Sequence, residues 1–304
     1  MRAVLALLVL GGIAHADSND PIISRLGTHL TDGSGGSLTI GDNVAFRALA
    51  SQLGTALAPQ LLTPADTLGF SGFQMSVDYA ATTIDNNAAY WRALDKAPST
   101  LQTVGFFARK GLWFPVPSFE FGAGAVHLVD SHIWTGQLYA KLALHEGYHD
   151  LPLPSFSVRG AVSRMMEQHE LDLTTASLDV EISKHFGIGG TWRFDPFVGW
   201  DLLMIIPRSE VIDGTPNVAG DGMNSFIFSD QDNIYRNRIF VGTKLQYYVF
   251  QLTIEAQFAL AGTSVDDRAG TNTACTPMGM TSDCDTKDIA KAQTTLSASA
   301  GFDF

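Results

Sequence analysis

Apolar and polar residues alternate along much of this sequence, and this alternation restricts the fold more than any other feature. In residues 250–260, every second residue is apolar, and Gln, Thr, Glu and Ala stand between them. Residues 296–304 repeat the pattern and end on Phe304, with Ser, Gly and Asp at the intervening positions. Because successive side chains of a strand point to opposite faces, each segment predicts a β-strand with one apolar face.

About ten such segments predict an all-β protein built as an antiparallel transmembrane barrel, with twelve strands as the alternative count. If the last strand runs inward, the connections on the inner side are short and those on the outer side are long, as in membrane barrels. Charged residues make up 16% of the chain, against roughly 25% in soluble domains. A secreted soluble β-sandwich is the competing interpretation. The predicted strands are 72–84, 101–110, 118–129, 133–145, 155–166, 171–186, 191–202, 235–246, 250–260 and 292–304.

The first residues have the pattern of an export signal. Arg2 supplies a positive charge, residues 3–13 are apolar, and Ala14-His15-Ala16 fits a cleavage site. The apolar run is too short to span a bilayer as a helix, which needs about 20 residues. The sequence therefore predicts a signal peptide at 1–16 and an exported protein.

Phe302 and Phe304 at the end of an amphipathic strand resemble the assembly signal of Gram-negative outer-membrane β-barrel proteins. That resemblance implies residence in the cell outer membrane, recognition by the barrel-assembly machinery, and contact with outer-membrane lipid and lipopolysaccharide. The chain is also distantly similar to plugged outer-membrane transporters of the long-chain fatty-acid type. In that family an N-terminal helical hatch precedes a barrel that ends in Phe.

Residues 17–70 lack the alternation and predict a separate periplasmic or plug segment before the barrel at 71–304. Asp42 is a suitable helix N-cap, and apolar residues recur at helical spacing from Ala45 to Leu57 before Pro59. The pattern predicts a helix over 42–58. Such a short helix needs a surface to dock on, either the lumen or the periplasmic mouth of the barrel.

The polar faces of the predicted strands carry six acidic and six basic residues, which we expect to line the lumen. Charges of both signs in a narrow lumen should pair, because an isolated buried charge is costly. They either close the barrel as a structural network or line a gated path for a small solute. The predicted lumen residues are Asp78, Arg109, Glu120, Lys141, Arg159, Asp179, Glu181, Arg193, Asp195, Arg238, Lys244 and Glu255.

These patterns favour a channel or transporter for small molecules, with a small-molecule solute as partner. The alternatives are a structural or adhesive surface barrel and a barrel-embedded hydrolase, for which rim residues such as His127, Asp130, His132 and His169 are candidates. The formal net charge of −12 gives no basis for binding nucleic acid. No cofactor is expected.

Two smaller motifs have local interpretations. Residues 145–149 match H-E-x-x-H, which binds zinc when it lies on a helix. Here a strand pattern precedes it and Pro-rich sequence follows, so we expect a turn and no metal site, with His145 and His149 as weak candidate ligands. Cys275 and Cys284 flank one Gly/Thr/Asp-rich stretch and predict a local disulfide in an oxidising compartment.

Overall fold

Ten antiparallel strands form a closed barrel in the computed structural model, which describes residues 18–31, 37–114, 118–146, 153–213, 225–228, 232–266 and 286–304. The fold class predicted from the alternation is confirmed. The number of strands is ten, the main predicted count, and not the alternative of twelve. The strands are β1 (Phe73–Thr83), β2 (Thr100–Leu112), β3 (Phe119–Leu128), β4 (Trp134–His145), β5 (Ser155–Met166), β6 (Leu171–Ser183), β7 (Trp192–Ser209), β8 (Ile234–Tyr247), β9 (Phe250–Ala259) and β10 (Gln293–Asp303).

Each barrel strand pairs with its neighbour in sequence, and β10 closes the barrel by pairing with β1. At the seam Ala298 lies opposite Tyr79, and the backbones of Phe73 and Phe304 exchange two hydrogen bonds of 2.8 Å. No strand edge is therefore left open in the wall. Closure matters because a bilayer offers no water to an unpaired backbone group.

The outer surface of the wall is apolar, and the inner surface is polar. In β9, Ile254 is 53% exposed, whereas its neighbours Thr253 and Glu255 are buried. Exposed aromatic residues such as Trp113 and Tyr248 lie beyond the strand ends, where a membrane boundary falls. A closed barrel with this apolar band is the structure that crosses an outer membrane, and the protein is located there. Among the described residues, no helix has the length and apolar character to cross a membrane.

The two ends of the barrel differ in the length of their connections. At the end that holds Phe304, which we call the inner end, strands are joined by residues 113–118, 146–154, 184–191 and 248–249. At the opposite, outer end, two of the connections are long, residues 210–233 and 260–292. Short turns lie on the periplasmic side of such barrels, so the inner end faces the periplasm.

The segment that precedes β1 runs lengthwise through the lumen. Near its start, the Asn19 amide donates to the Asp130 carbonyl (2.9 Å) at the outer end. Helix α1 (Asn43–Leu57) then enters the barrel, capped by Asp42, whose Oδ1 accepts from the Ala45 amide (3.0 Å). Residues 58–72 form neither helix nor strand and continue through bends and a turn to the inner end. The segment thus passes from the outer end through the lumen to the inner end.

Short elements complete the described chain, most of them at the outer end. They are two 3₁₀ turns (Ile23–Leu26 and Ala89–Ala93), the paired strands Gly27–Thr31 with Ser37–Gly41, Ile212–Asp213 with Ser225–Phe226, and Val265–Asp266 with Thr286–Lys287, and Phe186–Ile188 beside β7. The predicted signal peptide, His149, Cys275 and Cys284 fall outside the described residues.

Candidate functional site

Helix α1 fills the outer half of the lumen and is packed there by apolar side chains. Phe46, Leu49 and Leu53 are fully buried, and the Phe46 ring stacks on Phe228 with centroids 4.3 Å apart. A helix can sit in such surroundings because its backbone groups bond to one another. The buried apolar side chains of the wall and outer connections around it are Tyr90, Trp91, Leu94, Leu101, Leu128, Ile133, Met165, Leu171, Leu173, Leu203, Ile205 and Ile234.

Polar side chains of the helix are anchored individually to the wall and the outer connections. The Ser51 hydroxyl donates to Asp288 Oδ2 (2.7 Å) and accepts from Arg236 Nη1 (2.7 Å). Gln52 Oε1 accepts from the Trp91 indole (2.9 Å). Burial raises the pKa of Asp288 above its ordinary value, although hydrogen bonds to Ala290 and Ser51 oppose the shift. Asp288, in the outer connection before β10, is thus fixed to the helix that fills the lumen.

The inner half of the lumen is crossed by a row of six charged side chains on six successive strands. Each is the direct cross-strand partner of the next, in the order Glu120, Lys141, Arg159, Asp179, Asp201 and Arg238. All six are buried. We call them the charged row.

Opposite charges in the row form close ion pairs. Arg159 Nε lies 2.6 Å from Asp179 Oδ2, and Arg238 Nε lies 2.7 Å from Asp201 Oδ1. Lys141 Nζ and Glu120 Oε1 are 3.4 Å apart. Pairing of this kind is what makes buried charges tolerable.

The cations of the charged row also bind carbonyl groups of residues 58–70, which we call the plug segment. Arg159 Nη1 donates to the Gln60 carbonyl (3.0 Å), and Arg238 Nη2 donates to that of Pro59 (3.3 Å). Lys141 Nζ donates to the carbonyls of Pro64 and Asp66 (3.0 and 2.9 Å).

Acidic and hydroxyl side chains accept from the amides of the same segment. Glu255 Oε2 accepts from the Leu62 amide (3.0 Å), and Glu120 Oε2 accepts from that of Leu68 (3.0 Å). Ser183 Oγ accepts from the Ala65 amide (3.1 Å). Because residues 58–70 form neither helix nor strand, few of their backbone groups have partners within the segment, and the wall supplies partners for others.

The remaining predicted lumen residues also lie inside the barrel, and only Arg193 is substantially exposed. Arg109 lies 3.6 Å from Asp78, and Arg193 lies 2.6 Å from Asp195. Lys244 Nζ donates to Asp303 Oδ2 (2.8 Å). The two carboxylate oxygens of Glu181 are buried and have no hydrogen-bond partner within the described part of the chain.

Charged residues of these networks that sequence reasoning missed include Asp66, Asp201, Arg236, Asp288 and Asp303. Asp201 could have been predicted from the sequence, because it shares its strand face with the predicted lumen residues Arg193 and Asp195. Asp66 lies in the plug segment, where no strand alternation indicates the direction of a side chain.

One residue of the H-E-x-x-H match, Glu146, contacts the plug segment. His145 ends strand β4, and Glu146 Oε1 accepts from the amide and hydroxyl of Thr67 (2.9 and 2.5 Å).

Of the rim candidates, His132 Nδ1 lies 2.7 Å from Asp20 Oδ2, and the His127 ring stacks on Trp134 at 4.5 Å. No group of three or more potential metal ligands occurs in the chain as far as the structure describes it.

Comparison with known proteins gives structural matches only. No protein-family model matches the sequence, and no curated protein does. Ail, the attachment invasion locus protein of Yersinia pestis, is 11% identical over 77% of this chain and 99% of that one, with a TM-score of 0.29. OprG, an outer-membrane protein of Pseudomonas aeruginosa, is 9% identical (80% and 99% covered, TM-score 0.31), and the Escherichia coli outer-membrane protease OmpT is 9% identical (78% and 95%, TM-score 0.30). Similarity at this level assigns no role to the chain, and the likeness to fatty-acid transporters is not supported.

Proposed function

We propose that this protein is a gated outer-membrane barrel for a small polar solute, held shut by its own N-terminal segment. The observation that carries the proposal is the nature of the inner lumen wall. It is lined by small hydroxyl-bearing residues and charges of both signs, including Ser157, Ser177 and Ser297. Such a wall is wettable once the segment that covers it moves.

The way in which the plug is held supports gating. In the inner half, residues 58–70 are bound chiefly through hydrogen bonds to side chains of the wall. Most of these side chains are charged, so each hydrogen bond contributes about 1.5–3 kcal/mol net, and water can replace the bonds one by one as the segment moves. The apolar contacts of α1 at the outer end supply the main seal.

A reversible lock on the helix tests the proposal in the intact chain. A Cβ built on Gly54 lies 2.7–3.1 Å from the Cγ and Cδ carbons of Ile205, a proximity compatible with a disulfide. Gly54→Cys/Ile205→Cys, in a background with Cys275→Ser and Cys284→Ser, should tie α1 to β7. Conductance is then measured in planar bilayers across a range of voltages, before and after reduction.

The oxidised lock should be silent, and reduction should restore conductance to the level of the parent. Thr82→Cys/Thr295→Cys is a matched control, because this pair joins two wall strands across a hydroxyl contact of 2.9 Å and leaves the plug untouched. Equal conductance of the oxidised and reduced locks would contradict gating by the plug, as would silence in both states.

A surface-contact barrel is the second candidate, favoured by the position of the residues before α1. Ile23 donates its amide to Glu170 Oε2 (2.9 Å), and Arg25 lies 2.5 Å from Asp95, so residues 18–31 cap the outer end together with the connections. Thr28→Cys in the same cysteine-free background should react with a membrane-impermeant maleimide on intact cells. Ser71→Cys, at the inner end, should react only after the outer membrane is opened.

A further inference from the structure

A polar cavity of about 130 Å³ lies at the inner end of the lumen, beside the plug segment. Such a space is large enough for several water molecules or one small solute. Residues 63–68 of the plug segment form one side of the cavity. Side chains of strands β1, β3, β4, β7, β8 and β10 form the rest. The wall residues that line it are Gln74, Glu120, Lys141, Arg193, Lys244, Gln246 and Asp303.

The charges around the cavity balance one another. Lys141, Arg193 and Lys244 are matched by Asp66, Glu120 and Asp303. Entry of an ion of a single charge would leave an uncompensated charge among these pairs, which is costly where water is limited. A ligand that carries both signs and is neutral overall meets no such penalty.

The Lys244–Asp303 pair keeps capacity for a ligand. Among the described residues, the Lys244 ammonium has Asp303 Oδ2 as its hydrogen-bond acceptor (2.8 Å), although an ammonium carries three donors. Arg193, on the neighbouring strand, donates through Nε to Asp195 (2.6 Å) and through Nη2 to Asp66 (3.3 Å). A carboxylate placed between Lys244 and Arg193 would meet two cations, and an ammonium would meet Asp303.

Two amide groups at the cavity wall also have unused hydrogen-bonding atoms. Gln74 is fully buried, and its Oε1 accepts from Arg109 Nη1 (3.1 Å), but its Nε2 donor has no partner in the described residues. Gln246 is partly buried and has an unpartnered Oε1 acceptor under the same condition. Leaving such groups unpaired costs free energy, so a polar occupant of the cavity is favoured.

We infer that this cavity binds a small zwitterion of the size of a simple α-amino acid. The inference rests on the proposed passage function, since it names the class of solute that the inner lumen would hold.

Equilibrium dialysis with radiolabelled glycine, on the intact barrel in nanodiscs, tests the inference. Glycine should bind saturably, whereas acetate and methylammonium, which each carry one of its charges, should compete at least about tenfold more weakly. Saturable binding with no preference for glycine over the two ions would overturn the inference, and so would absence of binding, which would leave water as the occupant.

Variants locate the binding. Lys244→Met/Asp303→Asn removes one pair without changing the net charge and should weaken glycine binding at least about tenfold. Lys110→Met is the matched control at the same end, because Lys110 donates to the carbonyls of Ser71 and Gly72 and does not line the cavity. Undiminished binding in the double variant, with folding verified by heat-modifiable migration, would contradict the site.

The helix lock separates this inference from the proposed gating. The disulfide of the Gly54→Cys/Ile205→Cys variant lies in the outer half of the lumen, away from the cavity. The oxidised variant should therefore bind glycine as the parent does. Binding with no conductance in any state would uphold the site and contradict passage. Conductance without glycine binding would support passage and contradict the binding site.

Discussion

The outer and inner halves of the lumen hold the same N-terminal segment by opposite means. In the outer half a helix is surrounded by apolar residues such as Leu203 and Ile205. In the inner half an irregular chain is surrounded by buried charges such as Arg159 and Glu255. The segment occupies both halves, but the chemistry of the wall changes where the helix ends.

The difference follows from the hydrogen bonds of the backbone. Helix α1 satisfies its own amides and carbonyls, so the wall around it needs only shape and apolar surface. After Leu57 the chain forms neither helix nor strand as far as Gly72, so many of its amides and carbonyls need partners from side chains. The Leu57 carbonyl marks the change, because it already accepts from Gln137 Nε2 (3.1 Å). The lumen charges therefore have a structural task in addition to any contact with solute.

Removing a cation from the charged row should give the largest loss of stability. Arg238→Met leaves Asp201 buried without its ion-pair partner and removes a donor to the Pro59 carbonyl. We expect a loss of about 3–5 kcal/mol in the free energy of unfolding, measured by urea titration in detergent. The control is Arg164→Met, whose exposed pair with Asp172 (3.0 Å) should contribute about 0–1 kcal/mol. Equal losses would mean that the row does not hold the inner half together.

Adding a methyl group to the helix should test the packing of the outer half. In Gly54→Ala the new Cβ would lie 2.7 Å from Ile205 Cγ2, and overpacking costs about 1–3 kcal/mol. Higher helix propensity returns about 0.5–1 kcal/mol, so the net effect is a modest destabilisation by urea titration.

The same substitution made in an Ile205→Ala background should be neutral or stabilising, because the clash is gone. Gly160→Ala is the control, since a Cβ at that position meets no atom within 4 Å. A loss of the same size in both backgrounds would show that α1 does not pack against β7 at this point.

The sequence predicts much of the wall because alternation is a local property. The neighbours Ile254 and Glu255 are assigned to opposite faces by parity alone, and the structure exposes one and buries the other. Asp42 and the apolar spacing after it likewise indicate a helix before any partner is known. These features depend on residues that lie within a few positions of each other.

The position of the plug segment and the composition of the charged row cannot be predicted from local sequence patterns. The row depends on the register of six strands, and that register shifts at an irregularity between Ala143 and His145. Ser51 is anchored by Arg236 and Asp288, which are far from it in sequence and show no pattern that links them. Only the assembled barrel brings these groups together.

An effect of similar size is expected when one hydrogen bond to the plug segment is removed. Ser183→Ala takes away the acceptor of the buried Ala65 amide, and an orphaned donor costs about 1–3 kcal/mol. Ser177→Ala is the matched control, because the Ser177 hydroxyl is buried with no partner in the described chain. That variant should stay within about 0.5 kcal/mol of the parent. If the two serines are equivalent in urea titrations, hydrogen bonds to the plug do not stabilise the inner half.

The smallest effect concerns pH at the outer end, where the helix meets the connections. Burial raises the pKa of Asp288 in the folded protein, so the folded state binds the proton more tightly than the unfolded one. The free energy of unfolding should therefore decrease as pH rises from the ordinary carboxyl pKa of about 4 through the raised value. Asp288→Asn lacks this decrease, so its stability relative to the parent should improve between about pH 4 and pH 7.

Asp85 gives the opposite sign in the same part of the molecule. The hydrogen bond from Lys291 lowers the pKa of this partly buried carboxyl, so its contribution is present above the ordinary pKa and is lost as pH falls through the lowered value. Asp85→Asn should therefore lose stability relative to the parent at neutral pH and approach it in acid. Urea titrations of both variants across this range compare the two slopes. Slopes of the same sign would mean that Arg236 and Ser51 stabilise the Asp288 carboxylate more than burial penalises it, so the seal of the outer half would include a buried ion pair of the inner-half type.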